Sequence, residues 1–276
     1  MSVEAGEIAV DGGTLAYEVA GAGEPLVLLH GFSFDMRSWE PQFAPLAARF
    51  RVVRYDLRGF GKSSLPQGEY DHCGDLLRLL DHFGFERSVL VGLSLGANIA
   101  LRFAIVHPER VAAQALASPG LPGHVWTDER PPDAAKAYAA AHGVEATKRF
   151  WTGHPFLASL DDYPAAQAAV RRMVDDYSGW HWSHSDPQAA SINVAELLGD
   201  VAAPTLVLSG GRDAKGYREI AAILSQKIAG ARLVTFGNAG HMLNLERPDA
   251  FTVAVGDFAA QATQDEAGFQ PMGAGR

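Results

Sequence analysis

One cysteine in 276 residues, Cys73, leaves no intrachain disulfide to form and suits a reducing compartment. It is expected to be a small, part-buried residue near the start of a helix. No apolar run approaches the ~18 residues of a membrane span, so no membrane contact is expected. The opening MSVEAGEIAVDGG lacks a basic stretch and a long apolar run, so the chain is read as cytoplasmic, without an export signal. Positive charge is in short supply. Against 32 Asp and Glu stand 23 Lys and Arg, a net charge of −9, which disfavours nucleic acid or an anionic membrane surface as partner. His181 and His184 have no Cys, Asp or Glu set at ligand spacing, so their WHWSH segment is read as packing, and no metal is expected. The remaining composition, 47% hydrophobic and 20% charged, is ordinary for a globular protein. The length suits one large domain or one domain carrying a sizeable insertion.

Short apolar runs, each closed by turn residues and followed by a helical pattern, recur through the first 120 residues. They lie at 26–29, 52–55, 89–91 and 111–116, with helix-like stretches at 39–48, 73–83 and 95–106. Unbroken apolar runs mark strands buried on both faces, and their alternation with helices predicts a parallel sheet. Ahead of them, 7–10 and 14–19 flank Asp11-Gly12-Gly13 as a hairpin. After Gly120 the clean strand runs stop. Residues 121–200 hold four of the five tryptophans (Trp126, Trp151, Trp180, Trp182). From Pro204 the rhythm returns, with strands at 205–209 and 232–236 and helices at 217–228 and 248–260. The expectation is an α/β core formed by 1–120 and 201–262, a helical insertion at 121–200, and a polar, flexible tail at 263–276.

Gly92-Leu93-Ser94-Leu95-Gly96 fits G-x-S-x-G and falls between a predicted strand and a predicted helix, the context the pattern needs. A sharp turn leaves no room for side chains two residues either side of the serine. It presents the serine oxygen at a helix N-terminus, where developing negative charge is favoured. A serine hydroxyl needs a base, and the base needs an orienting group. The expected chain order is serine, acid, histidine. Asp213, in Ser209-Gly210-Gly211-Arg212-Asp213, and His241, in Asn238-Ala239-Gly240-His241, supply that order. Each follows a strand, where side chains from separate strands converge. The oxyanion formed on attack needs preplaced donors. The backbone N–H of Leu95 and that of Phe32, just after the turn at Gly31, are the candidates. His30 is read as a buried brace for that loop.

These segments resemble the α/β-hydrolase superfamily over roughly residues 7–262, in HGF (30–32), DLRGFGKSS (56–64), GLSLG (92–96), SGGRD (209–213) and AGHMLNLERP (239–248). The resemblance implies a mostly parallel eight-stranded twisted sheet flanked by helices, with 121–200 in the place of the family's helical cap. It assigns Ser94 as nucleophile, Asp213 as acid, His241 as base, and Phe32 and Leu95 to the oxyanion hole. Pockets in this layout form between cap and core, so Trp126, Trp151, Phe156 and Trp182 are candidate pocket residues. The Gly61-Lys62-Ser63 segment has Asp56 where a phosphate-binding loop has its first glycine, which argues against nucleotide binding.

The expected activity is hydrolysis of a small-molecule carboxylic ester or lactone through an acyl-enzyme, without metal or organic cofactor. The serine argues against haloalkane dehalogenases and epoxide hydrolases, which use an aspartate nucleophile. Carbon–carbon bond hydrolases acting on vinylogous diketones usually carry a tryptophan soon after the histidine, where this chain has Met242-Leu243-Asn244. The same fold also serves ligand receptors that keep the triad, and hydroxynitrile lyases that use it for acid–base chemistry.

Overall fold

A computed structural model of the chain describes residues 2–189 and 192–268. Among them, eight strands form one sheet in the order β1-β2-β4-β3-β5-β6-β7-β8. The first two, β1 (Val3–Val10) and β2 (Gly13–Ala20), pair antiparallel. Gly12 makes their turn at φ 74, a backbone conformation costly for residues with a Cβ. β2 also runs antiparallel to β4 (Arg51–Tyr55). The pairs among β4, β3 (Pro25–Leu29), β5 (Ser88–Leu93), β6 (Val111–Ala117), β7 (Thr205–Gly210) and β8 (Arg232–Phe236) are all parallel.

Burial explains why the central strands read so plainly. β5, β6 and β7 are buried along their whole length, so their sequences are continuous and not alternating. Val89, Leu90 and Val91 are fully buried, and each such side chain stabilises the fold by about 1.5–3 kcal/mol. The edges differ. β8 is largely exposed, and β1 begins at Val3, not at residue 7. Its first residues are exposed and so carry no burial pattern; the register of Val3 with Ala20 and Glu4 with Val19 holds them.

Helices cover the sheet. α1 (Glu40–Ala47), α2 (His72–His82) and α3 (Leu95–Val106) connect the early strands, and α3 packs on β5 and β6. Asp71 caps α2 by accepting the Cys73 N–H at 3.1 Å, and Cys73 itself is buried. Between β6 and β7 lie α4 (Pro131–His142), α5 (Val144–Thr152), a 3-10 stretch Pro155–Asp162, α6 (Pro164–Asp176) and α7 (Trp180–Ser183). After β7 come α8 (Lys215–Lys227), then β8, α9 (Leu243–Glu246) and α10 (Pro248–Gly268). Pro131, Pro164 and Pro248 each open a helix, the position where a missing N–H costs nothing. α10 runs past residue 260 and takes in 263–268 of the expected tail. Residues 269–276 lie outside the described residues. Among the described residues, no helix is long and apolar enough to cross a membrane.

Candidate active site

β5 ends in the GLSLG turn, and α3 starts at the very next residue after Ser94. Ser94 takes φ 53 and ψ −106, a strained backbone for a residue with a side chain. Its neighbours hold it there. The Ser94 N–H donates to the Ala117 carbonyl at 2.9 Å, and the Ser94 carbonyl accepts the Asn98 N–H at 3.1 Å. A Cβ on Gly92 would run into the Gly96 carbonyl, and one on Gly96 into the carbonyl of Leu29 on β3. Backbone on all sides therefore excludes side chains at both positions. Leu95, as the first helical residue, has an N–H with no partner inside the helix.

Asp213 and His241 lie in the loops after β7 and β8, and the structure brings them together. The two carboxylate oxygens of Asp213 each lie 3.1 Å from His241 Nδ1. The side chains are buried, with Asp213 4% and His241 2% exposed. An ionised carboxylate only accepts, so Nδ1 carries the hydrogen and Nε2 is left as an acceptor. The Ala214 N–H donates to Asp213 Oδ1 at 2.7 Å and fixes the carboxylate. Close loop packing sets the approach: a Cβ at Gly210 would strike the Gly240 carbonyl.

Glu246, in the first turn after the His241 loop, falls within the AGHMLNLERP segment, but sequence reading gives it no role. It is 3% exposed. Its Oε2 accepts the Gly240 N–H at 2.6 Å, while Oε1 accepts the Met242 N–H and the Ser159 hydroxyl, both at 3.1 Å. The carboxylate thus grips the backbone on both sides of His241. Burial raises its pKa, and the hydrogen bonds from Gly240, Ser159 and Met242 oppose the rise. The sequence holds a weak signal for it, namely an acid inside the apolar run MLNLE.

The HGF loop follows β3. His30 braces it from a buried position, with Nδ1 2.8 Å from the Gly31 carbonyl and Nε2 accepting the Leu57 N–H at 2.9 Å. Desolvation lowers its pKa to about 4. Phe32 contacts the ring of Trp151 at 5.9 Å and that of Phe60 at 5.7 Å. The GKS segment wraps the Asp56 carboxylate, which accepts the N–H groups of Met36 and Lys62 at 2.7 Å each. Burial raises Asp56 to about 6. These donors are turned inward to a carboxylate and are not available to a phosphate.

A cavity of about 450 Å³ opens on Ser94, lined also by Phe32, Leu95, Trp126, Arg130 and Tyr217. Of the four aromatic residues expected in a pocket wall, Trp126 lines this cavity. Trp151, Phe156 and Trp182 are not among the residues lining it and are nearly fully buried. The Phe156 ring lies 5.1 Å from the His241 ring, and Trp151 packs on Phe156 at 4.7 Å. These contacts, with those of Phe32 to Trp151 and Trp182, set the three rings against the histidine and the HGF loop. Tyr217 lies in no motif of the sequence. Its ring centroid lies 4.3 Å from that of His241. Burial raises the phenol well above its ordinary pKa, the charge of Asp213 adds to this, and the charge of Arg130 and the Ser94 hydroxyl oppose it. His181 stacks on Phe60 at 4.3 Å and shares a 2.8 Å hydrogen bond with the Tyr177 hydroxyl. Among the described residues, no group of three or more His, Cys, Asp or Glu is placed to hold a metal ion.

Comparison with known proteins adds to this geometry. A family model described as "Alpha/beta hydrolase family" matches residues 26–255. The crystal structure of the enol-lactonase from Burkholderia xenovorans LB400 superposes with a TM-score of 0.80 at 30% identity, over 92% of this chain and 100% of that one. The 2-hydroxymuconate semialdehyde hydrolase of Pseudomonas sp. (strain CF600) is 29% identical over 88% of this chain and 89% of its own length. Carboxylesterase YbfK of Bacillus subtilis (strain 168) is 28% identical, over 81% and 76% respectively.

Proposed function

The chain belongs to the alpha/beta hydrolase family, and on that premise we propose that it hydrolyses a carboxylic ester or lactone of a small molecule through an acyl-enzyme on Ser94. The observation that carries this reading is the buried Asp213–His241 pair, assembled beside a cavity that Ser94 also lines. In the proposed cycle, Ser94 Oγ attacks the substrate carbonyl while His241 Nε2 takes its proton. Asp213 holds the Nδ1–H tautomer and stabilises the imidazolium. The N–H groups of Leu95 and Phe32 receive the oxyanion. His241 then protonates the leaving oxygen, and water, activated by the same base, releases the acid.

The inserted helices act as a cap in this reading. Several contacts support it: Phe156 against His241, the Tyr163 hydroxyl donating to the Asn238 carbonyl at 3.0 Å, and the ion pair between Arg212 and Asp162. A second reading, carbon–carbon bond hydrolysis, is favoured by the similarity to the semialdehyde hydrolase and uses the same nucleophile and base.

The test is a panel of aryl and alkyl esters, lactones and vinylogous diketones, run with wild type and Ser94→Ala, alongside labelling by a fluorophosphonate probe. The expected result is multiple turnover on esters or lactones, lost in the variant, with Ser94 labelled. Turnover confined to the diketones would replace the ester reading with the second one. No turnover on any member, with Ser94 unlabelled, would overturn the hydrolase reading.

A further inference from the structure

Tyr217 has no role in the cycle above, yet it packs on His241 and lines the cavity of Ser94. It sits in the first turn of α8, four residues after Asp213, and is 4% exposed. Its ring faces His241 at 4.3 Å with an interplanar angle of 49°. On the other side the Trp126 ring meets it edge-on at 5.0 Å and 81°. Tyr217 and Ser94 line the same cavity. One side chain therefore packs against the base and shares the cavity of the nucleophile.

That position has a chemical meaning. In acylation, the bond from Ser94 Oγ to the carbonyl carbon forms and the bond from that carbon to the leaving oxygen breaks. The serine's proton passes to His241 and then to the leaving oxygen. The leaving oxygen must therefore lie between the acylated serine and the imidazole, beside the cavity wall that Tyr217 forms next to His241. Resting on the hydrolase reading, we infer that Tyr217 is a further catalytic residue, whose hydroxyl donates a hydrogen bond to the leaving-group oxygen as negative charge develops there.

Tyr217 keeps its proton throughout. A buried phenol whose ionisation is suppressed donates a hydrogen bond without giving the proton away. A preplaced donor aimed at developing charge acts mainly on the transition state. The requirement should scale with the leaving group. An alkoxide needs the donor, whereas 4-nitrophenolate disperses its own charge.

The experiment compares wild type with Tyr217→Phe, which deletes the hydroxyl and retains the ring against His241 and Trp126. kcat/KM, which reports acylation, is measured for ethyl, phenyl and 4-nitrophenyl esters of one acid. The loss on the ethyl ester should exceed that on the 4-nitrophenyl ester by at least about tenfold, with the phenyl ester between them. Ser94 should still be labelled by the fluorophosphonate, whose fluoride leaves without a donor. An equal loss on all three esters, or none on the ethyl ester, overturns the inference and leaves Tyr217 a packing residue. Tyr217→Leu provides the same comparison should the Phe variant not fold. A wild type inactive on every ester, with Ser94 unlabelled, would instead overturn the hydrolase reading itself.

Discussion

Replacing Glu246 should disable the protein in two separable ways. In Glu246→Ala the N–H groups of Gly240 and Met242, both buried, lose their acceptor, as does the Ser159 hydroxyl. A buried donor left unpaired costs about 1–3 kcal/mol, so the two backbone groups together cost about 2–6 kcal/mol. The hydroxyl can rotate to another acceptor and adds little. Deleting a desolvated carboxylate offsets part of this, on the order of 1–2 kcal/mol. The expected net destabilisation is about 0–5 kcal/mol, centred near 2.5 kcal/mol. Glu246→Gln keeps the shape, but its amide turns an N–H toward one of the two backbone donors. One pairing of three is then replaced by a clash of donors, for about 1–3 kcal/mol.

Activity should fall further than stability suggests. His241, the base of the proposed cycle, lies between the two gripped peptide groups, and a misplacement of about 1 Å at a catalytic group costs on the order of 100-fold. Urea unfolding followed by circular dichroism would give the stability loss from the shift in midpoint at constant slope, and kcat/KM on the best substrate would give the second effect. If Glu246→Ala kept both the wild-type midpoint and the wild-type kcat/KM, the assignment of Glu246 as the clamp on the histidine loop would be wrong.

Two further outcomes follow from burial. Desolvation lowers His30 and His181 to about 4 and His72 to about 3. Between these values and the unfolded pKa of about 6.5 the unfolded chain binds more protons, so stability is full above pH 6.5 and falls as pH drops. At pH 5 each imidazole costs about 2 kcal/mol. Asp56, raised to about 6, moves the other way and returns about 1.4 kcal/mol, and Asp75 and Glu246 act in the same sense as Asp56. Urea midpoints should therefore show a loss of at least about 2 kcal/mol between pH 8 and pH 5, and a gain would refute the buried neutral histidines. Trp126→Ala should change substrate preference with little loss of stability, because Trp126 lines the cavity. Trp151→Ala, at a nearly fully buried site, should cost about 3–5 kcal/mol, and parallel unfolding curves and substrate panels on the two variants would expose a reversal.

The sheet was legible because its central strands are buried on both faces and keep no polar alternation. The serine turn and the two loops at its side were legible for a different reason. Their glycines stand where backbone meets backbone, as at Gly96 against Leu29 and Gly210 against Gly240, so composition there is forced by contact. Glu246 and Tyr217 were not legible, since their meaning lies in partners distant along the chain. Ser159 is 87 residues from Glu246, and nothing local to Tyr217 announces Ser94. The insertion was readable as aromatic and helical, but not which of its rings would face the cavity. Trp126 and Trp151 are the same residue type, and only packing separates the wall from its support. β1 began earlier than expected because an exposed edge strand has no apolar face to betray it.

The strained serine also carries a consequence for how the protein is made. Ser94 is tied to Ala117 on β6, and the glycine two residues on rests against β3. Asp213 and His241 come from the last strands to leave the ribosome, and synthesis delivers domains from the N-terminus onward. The residues that seat the serine are therefore translated while the base that would arm it in the proposed cycle is still to come. In the proposed cycle, hydrolysis begins only when β7 and β8 close the far edge of the sheet, so a prematurely terminated product would be inert and not an uncontrolled esterase.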